Sequence, residues 1–296
     1  MRRCVIFNPA ARGERARQFR NQLGLVGAEC ALRQTATPGD ARRLATNAVL
    51  EGFTTIIAAG GDGTVNEVLN GIADAPGGLD RARLGLLPLG TINVFARELK
   101  IPRSFDGAWQ TLLAGHETRV DLPWVEFSGP HGPEKRCFAQ LAGAGLDAHA
   151  IELVSWNLKK LIGPGAYVAA GFHAMFRPPF NITAQSGSRR ETGQLALVGN
   201  GRLYGGSFNC FPNASPHDGQ LDLCLFPRAG WITLLRCAAS LLLRRRLPPG
   251  ALREIQCDSF TLNSHPPAPL EIDGEWIGRL PATFTVQPAA LRVVTP

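Results

Sequence analysis

The chain has 296 residues, room for two domains of roughly 120–170 each. It is 45% hydrophobic and 19% charged, which excludes a mostly disordered chain. Lys and Arg outnumber Asp and Glu 31 to 24, and the resulting +7 is spread over both halves; with no basic arm there is no footprint for a nucleic acid, and the balance fits a small anionic partner or an acidic membrane surface.

In chain order, residues 3–7 form a short apolar run ending at Asn8, followed by a helix over 14–23. A second strand over 28–34 ends at Thr35, and a helix follows over 38–50. The β-branched run 54–59 enters Gly60, Gly61, Asp62, Gly63 and Thr64, and a helix then reaches residue 72. A fourth strand, 84–87, leads through Gly90 and Thr91 into a helix over 93–98. Strands alternating with helices predict a mostly parallel sheet built on right-handed crossovers. Asn8, Thr35, residues 60–64 and residues 90–91 each follow a different strand. Open α/β sheets bind ligands at that edge, so four loops converge on one candidate site.

Beyond residue 121 the texture changes to short strand-like runs: 137–141, 180–184, 194–198, 221–226, 260–262, 270–272 and 283–286. Asp218-Gly219 and Asp273-Gly274 read as hairpin turns. Helices are expected over 148–161, 166–175 and 231–243. This describes an antiparallel, β-rich second domain with a few helices; the division falls at residue 122, giving domains 1–122 and 123–296. Seven Cys without a CxxC pair read as small buried hydrophobes in a reducing cytoplasm. The longest apolar stretch, 231–243, is too short to span a bilayer, which needs roughly 20 residues. The expectation is a cytoplasmic protein, at most peripheral at the inner membrane face.

Chemistry concentrates in 60–64 (GGDGT). Glycine lets backbone N–H groups press against phosphate oxygens, Thr64 is placed to cap the next helix, and Asp62 offers a carboxylate to Mg²⁺. A tight strand-to-helix turn would use the same glycines; Asn66 and Glu67 immediately after favour the phosphate site. Walker, GxGxxG and protein-kinase strings are missing. The run 270–277 (LEIDGEWI) reads either as a plain hairpin or as the source of the carboxylate, Glu275 or Asp273, that phosphoryl transfer to an alcohol requires. The segment 231–247 ends in three arginines and reads as a helix packed on its own domain or as a face toward acidic lipid head groups.

GGDGTVNEV at 60–68 together with PLGTINVFAR at 88–97 resembles the catalytic domain of the diacylglycerol kinase family, which includes sphingosine and ceramide kinases. Asn8-Pro9, Val120-Asp121-Leu122, GAGLD at 143–147, Tyr204-Gly205-Gly206, Asp218-Gly219 and Asp273-Gly274-Glu275 extend the likeness along nearly the whole chain. The resemblance implies a doubly wound, NAD-kinase-like α/β domain followed by a sandwich-like β domain whose extreme C-terminus packs back on the first. It implies an ATP- and Mg²⁺-dependent kinase of a lipid hydroxyl. Asn8, Thr35, Gly60, Gly61, Asp62, Gly63, Thr64, Asn66, Glu67, Gly90 and Thr91 would bind ATP. Asp218, with the carbonyls of Ser215 and Gln220, would hold Mg²⁺, and Glu275 with Asp273 would serve the acceptor. The partners implied are the lipid and a transient contact with an anionic membrane, and a homodimer is left open. Alternatives are a kinase of a soluble acceptor such as NAD, or a non-catalytic lipid- or nucleotide-binding protein. No motif separates diacylglycerol from a sphingoid base, a monoacylglycerol or phosphatidylglycerol.

Overall fold

The computed structural model describes residues 2–9, 11, 13–129, 132–146, 148, 179–244, 247, 248, 250 and 252–296. Four parallel strands open the chain: β1 (Arg3–Phe7), β2 (Ala31–Gln34), β3 (Thr55–Gly60) and β4 (Arg83–Pro88), in the order β4-β3-β1-β2. β3 and β4 are buried along their whole length, as the apolar runs 56–59 and 84–87 require of strands covered on both faces, and the buried Arg83 that opens β4 donates to the Thr55 hydroxyl at 3.1 Å. The covering helices are α1 (Glu14–Asn21), α2 (Leu23–Glu29), α3 (Asp40–Leu50), α4 (Asp62–Asp74), α5 (Gly78–Arg81), α6 (Val94–Glu98) and α7 (Phe105–Ala114). Two of these differ from the sequence reading. The stretch expected to begin the second strand at residue 28 ends α2 instead, because Val26 is fully buried on that helix despite two weak helix formers, Gly24 and Gly27. α7 was not anticipated; Ser104 caps it by accepting the Gly107 N–H, and Trp109 and Leu112 pack it on the core.

The second part is antiparallel. β5 (Glu117–Gly129) turns into β6 (Gly132–Cys137), and β7 (Leu141–Gly145) follows. Then come β8 (Ile182–Ser186), β9 (Arg189–Gly193), β10 (Leu195–Gly199), the small hairpin β11 (Leu203–Tyr204) and β12 (Phe208–Asn209), and β13 (Leu221–Phe226). Helix α8 (Trp231–Arg244) precedes β14 (Arg253–Cys257), β15 (Ser259–Ser264), β16 (Pro269–Ile272) and the long β17 (Glu275–Val294). The strand expected over 137–141 is interrupted: residues 138–140 leave the ladder between β6 and β7. Asp218-Gly219 is no hairpin, since it lies in an irregular loop ahead of β13. Of the helices expected over 148–161 and 166–175, all but Ala148 lie outside the described residues, as do Arg245 and Arg246.

The two parts share one sheet, ordered β14-β13-β10-β7-β16-β17-β4-β3-β1-β2. β17 pairs antiparallel with β5 and β16 and, at Val293, parallel with β4. The division expected at residue 122 therefore falls inside β5. Asp121, buried on that strand, stitches the joint. Its carboxylate accepts the Gly219 and Ala289 N–H groups, each at 2.7 Å, and its own N–H donates to the Pro216 carbonyl at 2.8 Å. Ala289 has φ 49°, an uncommon left-handed conformation that marks the kink where β17 shifts register on β5. Replacing Asp121 with Ala strips both amides of a charged acceptor, and urea unfolding should show a loss of about 2–4 kcal/mol. A change below about 0.5 kcal/mol would show the kink to be held by packing alone.

Candidate active site

Parallel register brings the loops together. Phe7 lies level with Gln34 and Ala59, and Gly60 with Pro88, so the chain leaves all four strands at one edge of the sheet. The order β4-β3-β1-β2 reverses direction between β1 and β3, which is where such sheets open a crevice. Asn8, Thr35, Gly60–Thr64 and Gly90–Thr91 all follow these strand ends.

The two glycine loops touch. Leu89 and Gly90 donate backbone N–H bonds to the Gly60 carbonyl at 2.9 and 3.2 Å. A Cβ on Gly90 would stand 2.6 Å from the Gly61 Cα and 2.8 Å from Asn93 Oδ1, so only glycine lets the loops approach this closely. Asn93 holds the turn from a left-handed conformation (φ 53°), donating to the Gly90 carbonyl at 2.7 Å and accepting the Gly90 N–H at 3.2 Å. Thr64 does not cap α4. Helix α4 starts at Asp62, its N-cap is Gly61, and no side chain caps it. Thr64 instead folds back over Gly60, where a Cβ would meet its Oγ1 at 2.3 Å.

Asp62 crosses between the loops, its Oδ1 accepting the Val94 N–H at 2.7 Å. Burial, and next the nearby Asp273 carboxylate, push the Asp62 carboxyl up to about 6, against the pull of the Val94, Phe95 and Asn93 amides. Arginines not singled out in the sequence surround the second loop. Arg15 donates to the carbonyls of Pro88 and Thr91, both at 3.3 Å, and Arg97 Nε donates to the Ile92 carbonyl at 2.6 Å. Burial and then mutual repulsion with Arg103 lower the proton affinity of both Arg15 and Arg97. Crowded guanidiniums beside exposed backbone favour an anion.

Glu67 and Asn66 face elsewhere. The Glu67 carboxylate accepts the Gly39 and Ala41 N–H groups at 3.0 and 2.9 Å, bracing the start of α3. The neighbouring Ala36 and Thr37 amides are taken by Asp40, whose carboxyl they hold well below the usual range. Buried Asn66 donates to Asp273 Oδ2 at 2.8 Å and to the Cys137 carbonyl at 3.3 Å. Asn70, one turn on, exchanges two hydrogen bonds with the Cys137 backbone at 2.8 and 3.0 Å. Helix α4 thus carries the glycine turn at one end and grips the second domain with its flank.

Asp273-Gly274 forms the two-residue turn between β16 and β17, with φ 46° and 82° as a type I′ hairpin demands. The Asp273 carboxylate accepts four hydrogen bonds: from Ala139 N (2.7 Å) and Asn66 on Oδ2, and from Gln140 N (3.0 Å) and Leu141 N (3.1 Å) on Oδ1. Burial still raises its pKa. Glu275, two residues on, is exposed at the start of β17. Buried Asn200 completes the link to Asp121, donating to the Ala139 and Asp121 carbonyls at 3.0 and 3.2 Å. Asn70, Gln140 and Asn200 carry no motif signal, because what they satisfy is distant in sequence; the Gln140 amide donates to the Leu203 carbonyl at 3.0 Å and to the Glu98 carboxylate at 3.1 Å.

Ser215, Asp218 and Gln220 sit apart, in the loop that Asp121 anchors. Asp218 is exposed and accepts the Gln220 N–H at 3.0 Å. Its electrostatic influence falls on Asp222, which burial first, and Asp218 and Glu254 after it, push up to about 6. Among the described residues no three His, Cys, Asp or Glu side chains converge as a metal cluster. One carboxylate with backbone carbonyls and water is nonetheless a donor set that suits Mg²⁺.

The raised pKa of Asp62 has a sign that can be measured. Its folded value, about 6, exceeds the ordinary 3.8, so between those values the native state gains stability as pH falls, and ionised Asp62 is a cost at neutral pH. Asp62→Asn should therefore raise Tm at about pH 7.5, with the advantage shrinking toward about pH 4. A variant that melts lower than wild type at neutral pH would show that the charge is not strained.

Comparison with known proteins agrees with this arrangement. The diacylglycerol kinase catalytic domain family matches residues 2–125, and the YegS C-terminal NAD kinase beta sandwich-like domain family matches residues 140–295. A diacylglycerol kinase of Staphylococcus haemolyticus (strain JCSC1435) is 30% identical over 310 residues, covering 100% of this chain and 89% of that protein. One from Staphylococcus aureus (strain MRSA252) is 31% identical over 295 residues, 95% of this chain and 88% of the relative. A crystal structure of a diacylglycerol kinase from Bacillus anthracis str. Sterne superposes with a TM-score of 0.71 at 20% identity, covering 100% of this chain and 97% of that one. A second structure from the same organism reaches 0.78 at 22% identity with the same coverage, which establishes the shared fold. The chain belongs to the diacylglycerol kinase family of lipid kinases.

Proposed function

We propose that the protein transfers the γ-phosphoryl group of ATP, bound with Mg²⁺, to the hydroxyl of a diacylglycerol-like lipid. The observation that carries this reading is the backbone contact between Gly61 and Gly90. It sets the two glycine turns that follow β3 and β4 side by side, next to the sheet's switch point, with Asp62 between them and arginines beside the second turn. Backbone N–H groups of the two turns would receive phosphate oxygens, as would the positive end of α4. Asn8, Thr35 and Thr91 would line the nucleotide at neighbouring strand ends. Asn66 and Glu67 would act through the framework, fixing α4 against the second domain and against α3.

Asp62 would hold the Mg²⁺ that accompanies ATP, an ion that takes one or two carboxylates and completes its shell with phosphates and water. That ion would neutralise charge on the transferring group. In the transfer, the lipid oxygen forms a bond to the γ-phosphorus while the bond to the β-bridging oxygen breaks, and ADP leaves with the electron pair. The hydroxyl proton goes to a carboxylate. Glu275 suits this role, since it is exposed two residues past the Asp273 turn. Asp273 would position the hairpin that presents Glu275. Asp218, with the carbonyls of Ser215 and Gln220, would bind a second Mg²⁺ that steadies its loop. Transient contact with an anionic membrane would bring the enzyme to its acceptor. Among the described residues no helix is long and apolar enough to cross a membrane.

Two variants separate these roles. Glu275→Gln should lower kcat at least about 100-fold with little change in ATP affinity, as loss of general base catalysis implies. Gly90→Ala should weaken ATP binding at least about tenfold, because the added methyl must prise the turns apart. Measurement is by ATP titration and by turnover on detergent-dispersed lipid extract. Wild-type kcat in the first variant would remove Glu275 from the proton transfer. Unchanged ATP affinity in the second would place the nucleotide elsewhere.

A further inference from the structure

Helix α8 follows β13, the next-to-last strand at the far end of the sheet from β2. Its sequence, WITLLRCAASLLLR, gathers Thr233, Arg236, Ser240 and Arg244 on one narrow flank and is apolar round the rest, a pattern that ordinarily means burial over most of its surface. The helix is not so buried. Cys237 and Leu241 pack inward, against a cluster that holds Leu195, Leu197 and Phe211. On the opposite face Ile232, Leu235 and Leu243 are 77, 65 and 84% exposed. With Ala239 and Arg236, also exposed, they are spaced i, i+3, i+4, i+7 and i+11, a single stripe about 16 Å long. No comparable row of exposed large apolar side chains occurs among the described residues; Leu25, Leu32, Leu50 and Ile92 are scattered over other elements.

Cations accompany the stripe. Arg236 emerges within it, and Arg228 is exposed on the turn before the helix. Both line one shallow cleft, together with Pro227, Thr233 and Gly250. Two guanidiniums at a cleft beside an apolar ridge match the two layers of a membrane surface. The arginines meet anionic head groups, and the leucine and isoleucine side chains enter the acyl boundary. A long arginine side chain can lie along apolar surface and keep its charged end at the head-group level. The chain's net charge of +7 favours the same surface.

We infer that the outer face of α8 is a docking surface for a bilayer bearing anionic head groups, with Ile232, Leu235 and Leu243 inserted and Arg228 and Arg236 at the head groups. This rests on the lipid-kinase reading for its purpose, since an acceptor held in a bilayer must be met there. Its geometry stands independently of ATP.

The test is sedimentation of the full chain with vesicles of phosphatidylglycerol mixed with phosphatidylcholine, or of phosphatidylcholine alone, without nucleotide. Wild type should bind the anionic vesicles, and added salt should release it. Leu235→Glu, and separately the pair Arg228→Glu and Arg236→Glu, should each weaken binding at least about tenfold at unchanged Tm. Turnover on a short-chain acceptor dissolved as monomers should stay within about twofold of wild type, because the site itself is untouched. Equal vesicle binding by wild type and variants overturns the inference. So does a wild type of twice the chain mass in solution that Leu235→Glu converts to single chains, which would make a second copy the occupant. If α8-dependent vesicle binding is seen but no lipid is phosphorylated, the docking surface stands and the kinase reading falls. If vesicle lipid is phosphorylated equally well by wild type and variants, the kinase reading stands and the docking surface falls.

Discussion

One carboxylate ties the molecule together. Asp273 sits at a left-handed turn position and takes hydrogen bonds from three consecutive backbone amides, 139–141, and from Asn66 of the other domain. A half-buried charge with fewer donors would be held less firmly and at a higher cost. With four donors it fixes three things together: where residues 138–140 leave the sheet, how α4 lies on the second domain, and where β17 begins. Any ligand bridging Asp62 and Glu275 would rely on that placement, because the two residues come from different domains and this joint helps to fix one against the other.

The nucleotide-side geometry follows from a second constraint, the parallel register of β1 to β4. Level strand ends put the loops in one row, but a row is not yet a cup. The close approach arises because Gly61 and Gly90 lack a Cβ and Asn93 tolerates positive φ, so that backbone lies against backbone and the Leu89 and Gly90 amides reach the Gly60 carbonyl. Side chains then secure the arrangement: Arg15 and Arg97 hold the carbonyls of the second loop, and Asp62 holds the amide of Val94.

What could be read in the sequence was what local chemistry dictates. The GGDGT turn and the Asp273-Gly274 hairpin need glycine for steric reasons that a sequence displays, and β13 matches its apolar run residue for residue. Asp218-Gly219 offered the same turn signal and misled, because its amide is satisfied by Asp121, 98 residues away, and not by a ladder partner. The run after Cys137 looked like continuous strand for a related reason. Its amides turn to Asp273, and nothing near residues 138–140 announces an acceptor more than 130 positions distant. Asn70, Gln140 and Asn200 were invisible because an amide side chain that completes remote backbone has no required neighbours in sequence. Thr64 was misassigned because a threonine after glycines resembles a cap, whereas α4 begins two residues earlier and the side chain covers Gly60.

The placement of Asp62 beside Asp273 shows why such a site cannot relax. In this partly buried cleft the Asp273 charge adds to burial in raising the proton affinity of Asp62, and the least costly response would be for the two to move apart. The sheet forbids it. β17 carries Asp273 at the hairpin before its first residue and joins β4 at Val293, so the strand that presents one acid is hydrogen-bonded to the domain that presents the other. Continuous ladders from β16 through β17 to β4 and β3 transmit this restraint, and separating the acids would mean breaking backbone hydrogen bonds along β17. Burial first, and the Asp273 charge after it, therefore leave Asp62 with a raised proton affinity in the free protein. A cation held between phosphate and Asp62, as proposed for the nucleotide site, would offset both the burial and the Asp273 charge, so the second domain would contribute to that preference through Asp273.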